Sequence, residues 1–194
     1  MENQKKWDAF KDEIALIRNE TIKQFVLNGI SILPDYFFEM PASTGGKYHP
    51  SYALGEGGLL RHTKAMVGMI ILLVGMEMWS MGLSSDEIDL AIASAILHDG
   101  WKKGDGTTKW TTTDHPLYAV KALKSDEIAS KILPDEQFAI VCGCIASHMG
   151  QHWSPDVAFL PKPATKLEKL VHNADYLASR KNLEYNFEIP VTRR

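Results

Sequence analysis

The sequence predicts an all-α fold: a single-domain helical bundle of about seven or eight helices. Three observations carry this reading. Apolar residues recur at three- and four-residue spacing along most of the 194 residues, and no stretch alternates with the period of two that a half-buried strand needs. Two complete capping boxes open apolar helical runs, at Ser84/Glu87 and at Thr165/Glu168. The chain is 45% hydrophobic and 23% charged, which supplies enough apolar surface to offset the entropy of ordering and excludes disorder.

The elements follow in chain order. Trp7, Phe10, Ile14, Ile17, Phe25 and Val26 place one amphipathic helix over residues 5–28, packing on the rest of the domain. Pro34, Pro41 and the run Ser43-Thr44-Gly45-Gly46 divide the next stretch into a short helix and a loop. Gly57-Gly58 opens a long apolar helix to about Met81. Ser84 starts a helix carrying Ile88, Ala91, Ile92, Ala95 and Ile96 that stops at Gly100. Residues 101–113 are polar, with Gly104, Gly106 and several threonines, and read as a loop that is a candidate lid. Asp114 is the expected cap of a helix over 116–123, and Ser125 of a short one to Leu133. Pro134-Asp135 starts another, to Ser147. A proline-rich loop spans 150–163, and the last helix carries Leu167, Leu170, Val171, Ala174, Leu177 and Ala178.

Composition excludes several function classes. A formal net charge of −3 argues against a grip on long nucleic acid. The two cysteines, Cys142 and Cys144, cannot build a disulfide framework and read as buried small residues in a reducing compartment. Acidic residues interrupt the N-terminal segment at once, so it does not read as a signal peptide. The most apolar run, residues 65–76, falls short of the ~18 residues of a membrane span. A cytoplasmic protein with no membrane partner is expected.

The seven histidines carry the functional signal. His62 lies on the apolar stripe of the long helix, His98-Asp99 ends the next, and His115 follows Asp114 after the polar loop. His148 ends the helix of Val141, Cys144 and Ile145, and Asp175 lies one turn beyond Val171. Each histidine alone is ordinarily a hydrogen-bonded core residue. Five elements that each aim an imidazole or carboxylate inward are a different matter, because buried carboxylates need partners. Nearby lysines would pair the two aspartates; a metal cluster would satisfy all six groups at once. Imidazole with carboxylate suits Mn, Fe, Ni, Co or Zn, with Mg also compatible.

The order His62 … His98-Asp99 … Asp175 resembles the HD-domain superfamily of metal-dependent phosphohydrolases. The neighbourhoods Gly57-Gly58-Leu59-Leu60-Arg61-His62-Thr63, Ala95-Ile96-Leu97-His98-Asp99, Asp114-His115-Pro116, Ile145-Ala146-Ser147-His148 and Asn173-Ala174-Asp175 carry the likeness, over residues 47–184. The resemblance implies an all-α HD-type domain and a divalent transition metal, with two ions as in the dinuclear branch. His62, His98, Asp99 and Asp175 would bind the first ion. Asp99 would bridge to a second held by His115 and His148. The stretch from His49 to His62 is similar to the HD module of bacterial 3′–5′ exoribonucleases, whose further nucleic-acid-binding parts this chain is too short to hold.

The implied activity is hydrolysis of a phosphomonoester or phosphodiester of a nucleotide by a metal-activated water, with Asp99 and Lys102 as catalytic residues. Lys102, Arg61, His49, Lys103 and Arg180 are the substrate-binding candidates. Met149-Gly150-Gln151-His152-Trp153 stands where cyclic-di-GMP phosphodiesterases carry Gly-Tyr-Pro, which disfavours that substrate. The acidic motif of alarmone hydrolases and the proline-rich segment of large dNTP triphosphohydrolases are missing too. Two other readings stay open: a 3′–5′ nuclease on short RNA or single-stranded DNA, and a non-catalytic regulatory or binding module on the HD scaffold. His152 reads as loop or pocket rim, and His172 as either a ligand-orienting or a surface group. Trp101 and Trp110 would either stack on a base or anchor the polar loop.

Overall fold

The computed structural model describes residues 1–43, 45–150 and 160–193. Its helices are α1 (Asn3–Ala9), α2 (Lys11–Ala15), α3 (Glu20–Ser31), α4 (Gly58–Val74), α5 (Glu77–Ser80), α6 (Ser85–Leu97), α7 (His115–Ser125), α8 (Ala129–Ile132), α9 (Asp135–Ser147) and α10 (Lys166–Ala178), and no strand occurs among the described residues. One contiguous hydrophobic cluster runs from Phe10 to Ala178. No helix is long and apolar enough to cross a membrane among these residues.

Helix α6 is the axis. Every residue from Asp89 to Leu97 is buried, so the helix is covered on all sides by α3, α4, α9 and α10. Both capping boxes form. Ser84 accepts from the Glu87 N–H and Thr165 from the Glu168 N–H, with each glutamate reaching back to its cap.

Four local expectations are corrected. The N-terminal helix expected over 5–28 is three helices. Phe10 leaves helical geometry at φ −114°, ψ 14°, and Asn19 is extended. The Asn19 side chain accepts from Thr21 (2.9 Å) and Ile22 (3.3 Å) to start α3 afresh. The break before α3 has a tertiary cause: Arg18 and Asn19 donate their backbone N–H groups to the Asp89 carboxylate of α6, at 3.0 and 2.8 Å. That carboxylate is fully buried, so it must collect donors.

The long helix expected to reach Met81 stops at Val74, because the chain turns extended at Met76 and α5 is a separate single turn. Ser125 does not cap the short helix; Asp126 supplies the side chain before it, its Oδ1 accepting from Ile128 (3.1 Å) and Ala129 (2.7 Å). Asp114 stands at the start of α7 without a side-chain cap bond.

Two glycines shape the α4 entrance. Gly57 has φ +67°, and a Cβ on Gly58 would lie 2.3 Å from the Ala53 carbonyl oxygen. Only glycine lets the turn at Ser51–Ala53 close on the helix that carries His62.

Candidate metal centre

Five elements deliver the site from one end of the bundle: His62 from the second turn of α4, His98 and Asp99 from the end of α6, His115 from the start of α7, His148 from the end of α9 and Asp175 from α10. The histidines and Asp99 are at most 1% exposed. Asp175 keeps a side chain 21% exposed and lines a cavity of about 600 Å³.

Three of the histidines share one local device. The Nδ1 atoms of His98, His115 and His148 each lie 2.7 Å from the carbonyl oxygen three residues earlier, those of Ala95, Thr112 and Ile145. A carbonyl oxygen only accepts, so Nδ1 carries the proton and donates. Nε2 is then a bare lone pair aimed at the centre. This is how a metal-binding imidazole is oriented.

The lone pairs converge on Asp99. Its carboxylate lies 3.2 Å from His98 Nε2, 2.7 Å from His115 Nε2, 3.6 Å from His148 Nε2 and 3.9 Å from His62 Nε2. The Nε2 atoms of His115 and His148 are 3.3 Å apart. Acceptors therefore crowd acceptors. Among the described residues His98 Nε2 and Asp99 Oδ1 find no hydrogen-bond donor, despite the 2.7 Å approach of His115 to the latter. Leaving such atoms buried costs about 1–3 kcal/mol each, more for charged groups. A cation relieves all of them, so the donor set fits a metal. Two buried groups of three, His62–His98–Asp99 and Asp99–His115–His148, each bring their ligand atoms within 4.8 Å of one another and can hold an ion. Asp99 belongs to both.

Asp175, expected as a further ligand beside His62 and His98, lies 3.0 Å from His62 Nε2 and 3.7 Å from His98 Nε2. It adjoins the first group through these two imidazoles, although neither group of three includes it. Burial pushes the Asp99 carboxyl up, but His98, Lys102 and His115 outweigh it and hold it well below the usual carboxylate range. The same contest at Asp175, decided by the His62 hydrogen bond and charge, also ends low. Burial pushes His115 down, against the pull of Asp99. It pushes His49, whose ring lies 5.6 Å from that of His62, down to about 4.

The remaining candidates separate. Lys102 is buried, pairs closely with Asp99 Oδ2 and lines the cavity with His49 and Arg180. Arg61 does not line it. Its guanidinium clamps the Tyr52 (2.6 Å), Leu54 (2.9 Å) and Glu56 (2.9 Å) carbonyls, so the substrate role expected for it gives way to bracing the α4 entrance. Lys103 also turns away, its ammonium 4.8 Å above the Tyr36 ring. Trp101 packs on the core and anchors the loop, whereas Trp110 is exposed. Both cysteines are free and buried. His152 lies outside the described residues.

His172, ambiguous from spacing, is buried, and its Nδ1 donates to the His148 backbone carbonyl at 2.5 Å. It holds the end of α9 that presents His148. Tyr48, Ser43, Thr111 and Ser179 line the cavity without having been singled out. Only the adjacency of Tyr48 to His49, in a glycine-rich polar stretch, marks any of them in the sequence. Comparison with protein-family models, curated proteins and solved structures finds no match to this chain. The chemistry of the site stands on its own residues.

Proposed function

We propose that this chain is a dinuclear metal-dependent phosphohydrolase of the HD type, acting on a phosphate ester of a nucleotide. One observation carries the reading: a single buried carboxylate, Asp99, is the common corner of two separate His/Asp groups. A shared carboxylate between two ligand sets is what a pair of cations needs. The sequence order His62 … His98-Asp99 … Asp175, with His115 and His148 between, supports the same assignment.

His62, His98, Asp99 and Asp175 would hold one cation, and Asp99, His115 and His148 the other. When bound, two such cations supply Lewis-acid charge and a water acidic enough to attack phosphorus near neutral pH. The protein's own part is orientation. Backbone carbonyls lock three imidazoles with Nε2 inward, and buried apolar helices keep the site from relaxing. Lys102 supplies a positive charge in the wall beside Asp99, placed to bind a non-bridging phosphate oxygen once substrate enters.

The test is metal content by mass spectrometry together with phosphate release from a nucleotide panel in Mn²⁺. Two metal equivalents are expected, falling to one in His115→Ala or His148→Ala, with release abolished in His98→Ala. Metal-loaded protein that releases phosphate from no member of the panel would overturn the reading.

A further inference from the structure

The cavity beside the metal centre has two ends of different chemistry. At its buried end lie Lys102, His115, His148 and Asp175. At its open end stand Tyr48, 56% exposed, and Arg180. Arg180 is already immobilised. Its Nε donates to the Tyr176 carbonyl at 3.1 Å and Nη2 to Ser179 Oγ at 2.9 Å, and Ser179 Oγ in turn donates to the Tyr176 carbonyl at 2.9 Å. Its guanidinium carbon lies 4.3 Å from the Tyr176 ring centroid and 5.7 Å from that of Tyr48.

These bonds fix the plane of the guanidinium and leave both Nη1 hydrogens without a protein acceptor among the described residues. No carboxylate among those residues pairs with it either, whereas Lys102, the cation at the buried end, is matched by Asp99. A second ammonium, Lys47, stands 5.2 Å from the Tyr48 ring. An arginine held rigid, unpaired and on a cavity wall has already lost the rotamer freedom that binding would otherwise cost it. Its free donors present the fork that fits a phosphate.

We infer that Arg180 is a specificity-determining residue: it binds a second phosphate of the substrate, distant from the one hydrolysed, while Tyr48 walls the organic part between them. The preferred substrate class is then a nucleotide carrying two separated phosphates, and a nucleoside bisphosphate and a 5′-phosphorylated dinucleotide both have that chemistry. The cavity, at about 600 Å³, falls within the size range of ligand sites for such molecules. The inference rests on the phosphohydrolase reading of the metal centre.

Calorimetry on the full-length, Mn²⁺-loaded protein tests it without relying on turnover. The probes are adenosine 5′-monophosphate, adenosine 3′,5′-bisphosphate and the 5′-phosphorylated diadenosine dinucleotide. At least one two-phosphate probe is expected to bind about 10- to 100-fold more tightly than the monophosphate, the range for one hydrogen bond to a charged group. Arg180→Gln should abolish that difference, leave monophosphate affinity within about twofold, and leave the melting temperature unchanged; Arg180→Lys should retain part of it. The probe that keeps the advantage identifies the source of the second phosphate. Equal affinity for all three in the wild type, or an equal loss for all three in Arg180→Gln, would overturn the assignment. A retained difference with no hydrolysis of any probe would overturn the phosphohydrolase reading and leave Arg180 as a phosphate-binding residue.

Discussion

Arg193→Ala is expected to destabilise the metal-free protein by about 3–5 kcal/mol, the cost of removing one partner of a buried ion pair. The side chains of Arg193 and Asp89 are 6% and 0% exposed, and their close pair joins the C-terminal segment to α6. Arg193 also donates to the Leu16 carbonyl (3.1 Å) and to the carbonyl (2.8 Å) and hydroxyl (2.9 Å) of Ser85. Without it, Asp89 keeps only the backbone N–H groups of Arg18 and Asn19 among the described residues, and its charge is left uncompensated in the core. For a chain of this length each kcal/mol moves the melting temperature by about 2–4 °C, so a fall of roughly 6–20 °C is expected. Urea melts of wild type, Arg193→Ala, Asp89→Asn and the double variant give the coupling directly. The double variant should recover part of the loss, since its buried amide carries no charge. A change below about 1 kcal/mol in Arg193→Ala, the scale of an exposed pair, would refute the reasoning.

Two further outcomes are expected. On the proposed dinuclear site, His172→Ala should weaken binding of the second cation by about 10- to 100-fold, because the end of α9 that presents His148 loses the donor to its carbonyl. Competition titration with a chromogenic chelator reads this, and unchanged affinity for both ions in a folded variant would refute it. Metal-free stability should fall as the pH drops below neutrality. The folded-state pKa values of His49 and His115 lie below the ordinary 6.5, so the unfolded chain takes up protons first. Their contribution is present above about 6.5 and is lost as pH falls toward about 4, the folded value for His49. A urea midpoint at pH 5 equal to or above that at pH 7.5 would contradict this.

Much of the candidate centre was legible because its imidazoles and carboxylates sit at helix ends and on apolar stripes. His98-Asp99 continues the stripe of α6, and His148 that of α9, so periodicity alone sends them inward. Helix starts with a local mechanism were equally readable: Ser84 with Glu87 and Thr165 with Glu168 are complete within four residues. The N-terminal pattern reads as one helix because its periodicity is helical throughout, while the break before α3 is imposed from elsewhere. Arg18 and Asn19 leave the helix to satisfy Asp89, some 70 residues on. Arg61 looked like a substrate ligand from its place beside His62, yet three carbonyls of the turn before it claim its donors.

Residue spacing by itself determined that the chain is helical and that six imidazole and carboxylate groups lie on inward faces, because burial of apolar stripes is a local, periodic demand. Tertiary structure alone decided that Asp99 belongs to two groups at once, that three Nε2 lone pairs point at it, and that Arg180 rather than Arg61 faces the cavity. Those facts depend on where five separate elements end relative to one another. Hydrogen-bond geometry over a few ångströms sets that arrangement, and no single segment of the chain encodes it.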